Sequence, residues 1–302
     1  MTTVIETTAL TKYYGSNPGI TDLDLEVREG EVFGFLGPNG AGKSTTIRTL
    51  LNFLFPTSGS GTVLGLDIIK DSLEIRRRTG YLPGDLAMYD AMTARELLIY
   101  FANLRKVDAA AQMTELADRF DLDLDRRIKE YSTGNRQKVG LVNAFMHEPE
   151  LLILDEPTAG LDPLLQQEFQ TLIAEVRREG RTVFLSSHIL SEVDRVADRV
   201  GIVRSSRLVE VDTLESFKAK AHRSVTLQFT APVDLEPFSR LGNVVTAESR
   251  NEGSVVVLTV QGSMDEVVKE AARHDVITVS TRAGELEEVF LSYYAGANDN
   301  AS

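Results

Sequence analysis

The sequence of 302 residues contains no cysteine and no tryptophan, and its four histidines lie far apart. Without cysteine the chain has no disulfide framework, no thiolate nucleophile and no cysteine-ligated zinc site. The histidine spacing does not match a metal site either. Any metal ion must therefore be held by oxygen ligands.

Long apolar runs are also absent, and the longest are short stretches such as 97–100 and 151–154. A membrane-spanning helix needs about 18 or more consecutive apolar residues. We therefore expect no direct insertion into a membrane. The first six residues carry neither a basic nor an apolar segment, so a cleaved secretion signal is not indicated.

Acidic residues outnumber basic ones, with 45 Asp and Glu and 32 Lys and Arg, which gives a formal net charge of −13. Much of this acidic excess is expected to be solvated surface. Binding to the backbone of nucleic acids needs clustered basic side chains, so nucleic acid is not an expected partner. An anionic lipid surface would repel the chain as well, and any membrane association should run through another protein.

The length predicts two domains, with the first at residues 1–213. Alternating apolar and polar residues at 4–36 predict antiparallel strands that lead into a buried strand. A helical subdomain is predicted at about 86–146, where a capping box at Thr93 to Glu96 precedes an apolar helix face. The later apolar runs at 151–154 and 182–185, separated by a predicted helix, follow the rhythm of a parallel α/β sheet.

The pattern changes after residue 213. Residues 214–295 predict a small α+β appendage of the split βαβ type, which begins with a helix rather than a flexible linker and ends with a helical piece at 286–294. Residues 296–302 are small and polar, and we expect a flexible tail.

A glycine-rich loop follows the predicted buried strand and precedes a predicted helix at 45–51. In such a loop the backbone N–H groups and the helix N-terminus face phosphate oxygens, while Lys43 reaches the β and γ groups and Ser44 coordinates Mg²⁺. The loop therefore predicts ATP or GTP with Mg²⁺ as ligand. Its residues are Gly37, Pro38, Asn39, Gly40, Ala41, Gly42, Lys43 and Ser44, followed by Thr45.

Two acids, Asp155 and Glu156, directly follow the apolar run 151–154. Ligands bind at the carboxyl ends of the strands in open α/β sheets, so Asp155 is placed to hold Mg²⁺ and Glu156 to polarise an attacking water. Taken alone, two carboxylates could simply end a strand. The phosphate loop upstream favours the functional interpretation.

The segment from Ser132 to Gln137 opens another predicted helix, and by itself a Ser followed by a Gly at a helix start is a common N-cap. Four segments in their order nevertheless resemble the nucleotide-binding domain of ATP-binding cassette (ABC) transporters over about residues 4–213. They are the loop 37–44, this segment, the acidic strand 151–156 and Leu185-Ser186-Ser187-His188.

This resemblance implies the P-loop NTPase fold of an ABC ATPase, in which a parallel sheet carries an antiparallel β subdomain and a helical insertion. It implies that Tyr14, or its neighbour Tyr13, stacks on adenine and that His188 contacts the γ-phosphate. Lys43 and Glu156 complete the implied catalytic set, with Ser44 and Asp155 on the metal.

The resemblance also implies a second subunit. Ser132 and Gly134 lie where the family's Leu-Ser-Gly-Gly-Gln signature caps the γ-phosphate bound by the opposite subunit, and Asp162 matches the loop that crosses the dimer interface. The match is partial, because Tyr131, Thr133 and Asn135 differ from the signature. A hydroxyl and a close backbone approach are retained at Ser132 and Gly134.

One position departs from the family pattern. The family places Gln or Glu where this chain has Gly84, and that side chain touches Mg²⁺ and water and reports to the membrane subunit. A glycine has no side chain for these contacts. Either Asp85 takes over the role, or the loop acts through backbone and water alone.

The segments 80–83, 131–138 and 286–291 resemble ATPase subunits of bacterial drug exporters of the daunorubicin-resistance type. The implied function is ATP hydrolysis that powers export by a separate membrane-spanning subunit, through ATP-driven dimerisation, at the cytoplasmic face of the cell membrane. The alternatives are an importer ATPase and a soluble, non-transport ABC ATPase. In this family the transported molecule is bound by the helices of the membrane-spanning subunit.

Overall fold

The computed structural model describes residues 2–220 and 223–282, and the chain divides into two compact units, Met1–Val211 and Asp212–Ser302. The predicted helix at 286–294, the segment 286–291 and the tail 296–302 lie outside the described residues. No helix in the described part combines the length and apolar character needed to cross a membrane.

An antiparallel sheet begins the first unit, as the alternation at 4–36 predicts. Inward-facing apolar side chains alternate with exposed ones along its two long strands, because successive side chains of a strand point to opposite faces. The order is β2-β1-β4-β5. Its strands are β1 (Thr3–Tyr14), β2 (Asn17–Arg28), β4 (Ser58–Val63) and β5 (Leu66–Asp67).

A second sheet of six strands has the order β10-β9-β3-β8-β7-β6. Its strands are β3 (Val32–Leu36), β6 (Thr79–Leu82), β7 (Leu151–Asp155), β8 (Thr182–Ser187), β9 (Arg199–Arg204) and β10 (Arg207–Thr213). The pairs from β9 through β3, β8 and β7 to β6 are all parallel. β3, β7 and β8 are buried along their whole length, as expected for strands covered on both faces.

Seven α-helices belong to the described part of this unit. They are α1 (Lys43–Leu50), α2 (Ser72–Arg78), α3 (Ala94–Arg105), α4 (Ala110–Arg119), α5 (Thr133–Phe145), α6 (Pro163–Arg178) and α7 (Leu190–Val193). Helix α1 begins two residues before the predicted start, directly after Gly42. The predicted capping box at the start of α3 is confirmed, with reciprocal bonds between Thr93 and Glu96.

One apolar core joins the two sheets of this unit. It combines buried residues of the antiparallel sheet, such as Ile5 and Val27, with Phe35 and Phe184 of the parallel sheet. The Phe35 and Phe184 rings lie 5.2 Å apart. The parallel strands end at the same edge, so the segments that follow β3, β6, β7 and β8 converge there.

The second unit is an antiparallel sheet of order β12-β13-β11-β14. The chain order β-α-β-β-α-β, with β13 lying between β11 and β12, is the split βαβ arrangement that the sequence predicts. Its elements are α8 (Leu214–Lys220), β11 (Arg223–Phe229), α9 (Glu236–Ser239), β12 (Val244–Arg250), β13 (Val255–Val260), α10 (Asp265–Ala271) and β14 (Val276–Arg282).

Candidate active site

The glycine-rich loop connects β3 to the N-terminus of α1, and two of its glycines have positive φ angles. Gly40 has φ 79° and Gly42, which caps α1, has φ 109°. A Cβ at Gly42 would lie 2.3 Å from the carbonyl oxygen of Gly19. Glycine is therefore required at position 42 both for backbone conformation and for space.

Lys43, the first residue of α1, is only 6% exposed. Its Nζ donates hydrogen bonds to the carbonyl oxygens of Gly37 at 2.7 Å and Pro38 at 3.3 Å. The same ammonium lies 3.2 Å from Oε1 of Glu156. The buried charge is thus held by two carbonyls of its own loop and one carboxylate from the end of a neighbouring strand.

Asp155 is the last residue of β7, and it is 1% exposed. Ser186 on the adjacent strand β8 donates from its hydroxyl to Asp155 Oδ1 at 2.5 Å. The second oxygen, Oδ2, faces Gly84 after β6, where a Cβ would lie 3.2 Å away. Burial, reinforced by the Asp155 charge, raises the pKa of nearby Tyr81 to about 12.

Glu156 follows Asp155 and has a positive φ of 51°. Its Oε2 lies 2.8 Å from Nδ1 of His188, which comes directly after β8. Since Oε1 contacts Lys43, the structure joins the three predicted catalytic side chains, Lys43, Glu156 and His188, in one contact chain.

A cavity of about 420 Å³ opens beside these residues. Tyr14 lies at its rim, 46% exposed, with its hydroxyl 3.3 Å from Oγ1 of Thr45; Tyr13 is not among the lining residues. The cavity brings together most of the predicted nucleotide and metal residues. These are Tyr14, Asn39, Gly40, Gly42, Lys43, Ser44, Thr45, Asp155 and Glu156, and Pro18, Gly19, Arg48, Gly84 and Asp85 complete the lining.

The remaining loop residues serve the architecture of the loop. A Cβ at Gly37 would lie 2.5 Å from the carbonyl oxygen of Val203 on β9, so this glycine lets the loop pack against the sheet. Ala41 is buried at 3% exposure. Pro38 contributes a carbonyl to Lys43.

The donor set suits a magnesium ion that is shared with a phosphate ligand. Ser44 and Asp155 both line the cavity and offer hydroxyl and carboxylate oxygens, which are the ligand types Mg²⁺ prefers. No group of three or more His, Cys, Asp or Glu side chains in the described residues could hold a metal without such a ligand. Mg²⁺ commonly uses one or two protein ligands plus substrate phosphates.

The residues assigned to a second subunit lie outside this cavity. The Ser132 hydroxyl caps α5 by accepting from the Asn135 N–H, and the Asp162 carboxylate caps α6 by accepting from two N–H groups at 3.0 Å. Gly134 packs against the loop between β7 and α6, because a Cβ there would lie 2.6 Å from the Gly160 carbonyl oxygen. The structure therefore places Ser132, Gly134 and Asp162 on two adjoining helix starts.

Gly84 and Asp85 both line the cavity, so the backbone of the first and the carboxylate of the second both belong to the candidate nucleotide site. Gly84 is not among the glycines with positive φ, and its backbone conformation is therefore open to other residues. The φ angle is therefore not what requires a glycine at position 84. Its closeness to the Asp155 carboxylate is the constraint that the structure shows.

Three residues of the site were not singled out from the sequence. Ser186 holds Asp155, Gln137 binds backbone carbonyls next to Glu156, and Arg48 lines the cavity. Ser186 and Gln137 lie in sequence segments that were selected because of His188 and Ser132. Within those segments, their polar side chains were the feature that could have identified them. Arg48 lies on the exposed side of α1, and nothing in its sequence context distinguishes it.

Comparison with known proteins agrees with this geometry. Residues 20–159 match the family model described as ABC transporter. The bacitracin transport ATP-binding protein BcrA of Bacillus licheniformis is 35% identical, over 98% of this chain and 99% of BcrA.

Solved structures give the same result. A structure described as the ATP-binding subunit of an ABC transporter is 30% identical, with a TM-score of 0.66, and covers 71% of this chain and 92% of that one. A dimeric bacterial ABC transporter cassette shares the fold at 21% identity, with a TM-score of 0.62, over 70% of this chain and 98% of that one. A phosphate loop, an acidic strand and a relative this similar along nearly its whole length show that the chain belongs to the ATP-binding proteins of ABC transporters.

Proposed function

We propose that this chain hydrolyses ATP to power export, as a drug or multidrug efflux system, by a separate membrane-spanning subunit. The observation that carries the proposal is the contact chain of Lys43, Glu156 and His188 beside the phosphate-loop cavity. The name of BcrA, a bacitracin transport ATP-binding protein, supports a transport role rather than a non-transport one. A location at the cytoplasmic face of the membrane, held by that subunit, follows from the proposal.

Glu156 acts as the general base in the hydrolysis. Its carboxylate accepts a proton from water while the water oxygen forms a bond to the γ-phosphorus, and the bond from that phosphorus to the β,γ-bridging oxygen breaks to release ADP. Lys43 stabilises the negative charge on the phosphates, and His188 orients the carboxylate and contacts the γ-phosphate. Positioning and charge supply most of the rate enhancement in such reactions.

Ser44 and Asp155 would hold the magnesium ion, which neutralises phosphate charge when it is bound. Ser186 keeps the Asp155 carboxylate in one orientation through its hydrogen bond to Oδ1. The Oδ2 atom faces Gly84. Since glycine has no side chain, residue 84 does not cover Oδ2 on this side.

Two copies of the ATPase unit close head to tail around two nucleotides in this proposal. Ser132 and Gly134 of one copy then contact the γ-phosphate in the other, and Asp162 crosses the interface. The adjoining helix starts that carry these three residues support the assignment, and a solved cassette of the same fold is described as dimeric. Residues 214–295 are proposed as a regulatory or dimer-stabilising appendage.

The membrane subunit docks in an apolar groove of about 240 Å³ between β6, α3 and α5. Apolar side chains such as Leu51, Phe53 and Leu97 line it, and Pro83 and Leu86 connect it to the loop of Gly84. The groove residue Phe53 is more than half exposed, as are Tyr89 and Leu104, which lie outside the groove. Binding of the membrane subunit in this groove would therefore contact both ends of the loop whose Gly84 faces Asp155.

The charges of the groove indicate what its occupant carries. Its two ionisable groups of fixed charge, Arg76 and Arg105, are both cationic. Arg76 donates to the Leu51 carbonyl oxygen at 2.8 Å, whereas the buried Nε of Arg105 has no hydrogen-bond partner among the described residues. Burial lowers the pKa of Arg105. An apolar segment of the membrane subunit that carries one carboxylate would give the Arg105 guanidinium a hydrogen-bonding partner.

Replacing Arg105 by Met is expected to stabilise the isolated protein by about 0.5–2 kcal/mol, because it removes a partly buried charge whose buried Nε has no hydrogen-bond partner among the described residues. The midpoint of thermal unfolding measures this gain. Arg119→Met is the matched control, since Arg119 pairs with Glu168 at 2.6 Å and Glu175 at 2.7 Å, and its loss should destabilise. A lower midpoint for Arg105→Met would contradict the docking role of Arg105.

Co-purification tests the proposed function as a whole. A tagged chain solubilised with detergent from membranes should retain an untagged membrane-spanning subunit and hydrolyse Mg-ATP faster in its presence. Arg105→Met should weaken that association. Recovery of an active ATPase in the soluble fraction alone would instead favour the non-transport alternative.

A further inference from the structure

The backbone of Glu156 is held in an unusual conformation. Its φ of 51° lies in the left-handed region, which is unfavourable for a residue with a Cβ. Such a conformation persists only where the surroundings enforce it. The direction of the Glu156 side chain depends on this φ, so whatever enforces it also aims the carboxylate.

Contacts on both sides of Glu156 fix this conformation. On the amide side, the Glu156 N–H donates to the Ser186 carbonyl oxygen at 3.1 Å and approaches the Ser186 Oγ at 3.3 Å. On the carbonyl side, Nε2 of Gln137 donates to the Glu156 oxygen at 3.2 Å and to the Pro157 oxygen at 2.9 Å. Gln137 is 5% exposed, so water does not readily replace it.

Gln137 lies one turn into α5, the helix that Ser132 caps and that has Gly134 in its first turn. The same helix touches the loop after Glu156 a second time, where Gly134 packs on the Gly160 carbonyl. The start of α5 is therefore joined to the segment 156–160 by hydrogen bonds to the carbonyl oxygens of Glu156 and Pro157 and by one close packing contact at Gly160. A displacement of this helix start would change the aim of Glu156.

We propose that Gln137 is a positioning residue for hydrolysis, which aims Glu156 by holding the carbonyl groups at 156 and 157. This inference rests on the proposed function, in which Glu156 is the base. Gln137 lines no part of the nucleotide cavity. It therefore affects the turnover rate and not the affinity for ATP.

Gln137→Leu tests this, because leucine fills a similar volume and donates no hydrogen bond. We expect kcat to fall about 10- to 100-fold, since small misplacements of a catalytic group cost up to about 100-fold, while the Kd for ATP stays within about twofold. Gln166→Leu is the matched control, because Gln166 also donates from Nε2 to a backbone carbonyl, that of Leu161, at 3.1 Å. Its kcat should stay within about twofold of the original.

A double variant separates positioning from general damage. In a Glu156→Gln background the addition of Gln137→Leu should cost no further activity, because Gln137 acts through Glu156. Losses that multiply would overturn the proposal. A normal kcat in Gln137→Leu with only a lower unfolding temperature would also overturn it, because Gln137 would then serve the fold alone. If the leucine variant does not fold, Gln137→Glu replaces it, since glutamate keeps the shape of the side chain and lacks the amide donor.

The single variants keep this proposal distinct from the proposed function. If Glu156→Gln loses activity and Gln137→Leu does not, the role of Gln137 fails and the function stands. If Glu156→Gln retains activity, the assignment of Glu156 as the base fails instead.

Discussion

Glu156→Gln is expected to bind ATP but to hydrolyse it at least about 100-fold more slowly, in line with the loss of a general base. The amide keeps the shape of the side chain and cannot accept the proton of the attacking water. The change also removes the carboxylate 3.2 Å from Lys43. Since the ammonium is then no longer shared with a carboxylate, the Kd for ATP should be unchanged or lower.

Steady-state hydrolysis of Mg-ATP and calorimetric ATP binding measure the two effects, and size-exclusion chromatography with ATP should reveal an accumulated dimer. Glu192→Gln is the matched control, because Glu192 accepts a hydrogen bond from Ser187 at 3.1 Å, close to the site but outside the cavity. Its rate should stay near the original value. Turnover near the original value in Glu156→Gln would disprove its role as the base.

Lys43→Ala is expected to lose most nucleotide affinity, by about 10- to 100-fold, because hydrogen bonds to charged groups contribute about 1.5–3 kcal/mol each. The Lys43 ammonium is the buried cation at the start of α1, where phosphate would bind. Its removal leaves the Glu156 carboxylate 2.8 Å from His188 without a cation on its other oxygen. The cavity then repels phosphate more strongly.

Calorimetric titration of Mg-ATP checks this expectation. Lys138→Ala is the control, because Lys138 is a buried lysine that donates to the Asp121 carbonyl oxygen at 3.0 Å and lies outside the cavity. It should lower the unfolding temperature and leave the Kd for ATP near the original value. Equal ATP affinity in Lys43→Ala and the unchanged protein would count against the phosphate loop as the binding site.

Much of the site was predictable because its parts are continuous in sequence. Two of these parts depend only on neighbouring residues, namely the glycine spacing in the loop 37–44 and the apolar run before Asp155. The same holds outside the site for the capping box at Thr93. Local geometry of this kind follows from local sequence. The prediction of a split βαβ appendage was also confirmed, since alternation of strand and helix patterns limits the possible topologies.

Other features depend on strands and loops that meet only in the folded chain. The resemblance favoured Tyr14 and left its neighbour Tyr13 as the alternative, and the packing beside Thr45 is what brings Tyr14 to the cavity. The role of Gly84 as a neighbour of Asp155, rather than as a source of φ freedom, required the parallel pairing of β6 with β7. Gln137 and the groove around Arg105 likewise depend on how α5 packs against the sheet.

By itself, the sequence predicted the family, the order of the strands and helices and the segments that are proposed to bind phosphate, because periodicity and glycine spacing act over a few residues. The tertiary structure decided the contacts of Glu156 with Lys43 and His188, the hydrogen bond from its N–H to Ser186 and the hydrogen bond that its carbonyl accepts from Gln137. These residues come from the ends of different strands and helices. Their distances are set by side-chain packing across the sheet, which no local pattern encodes.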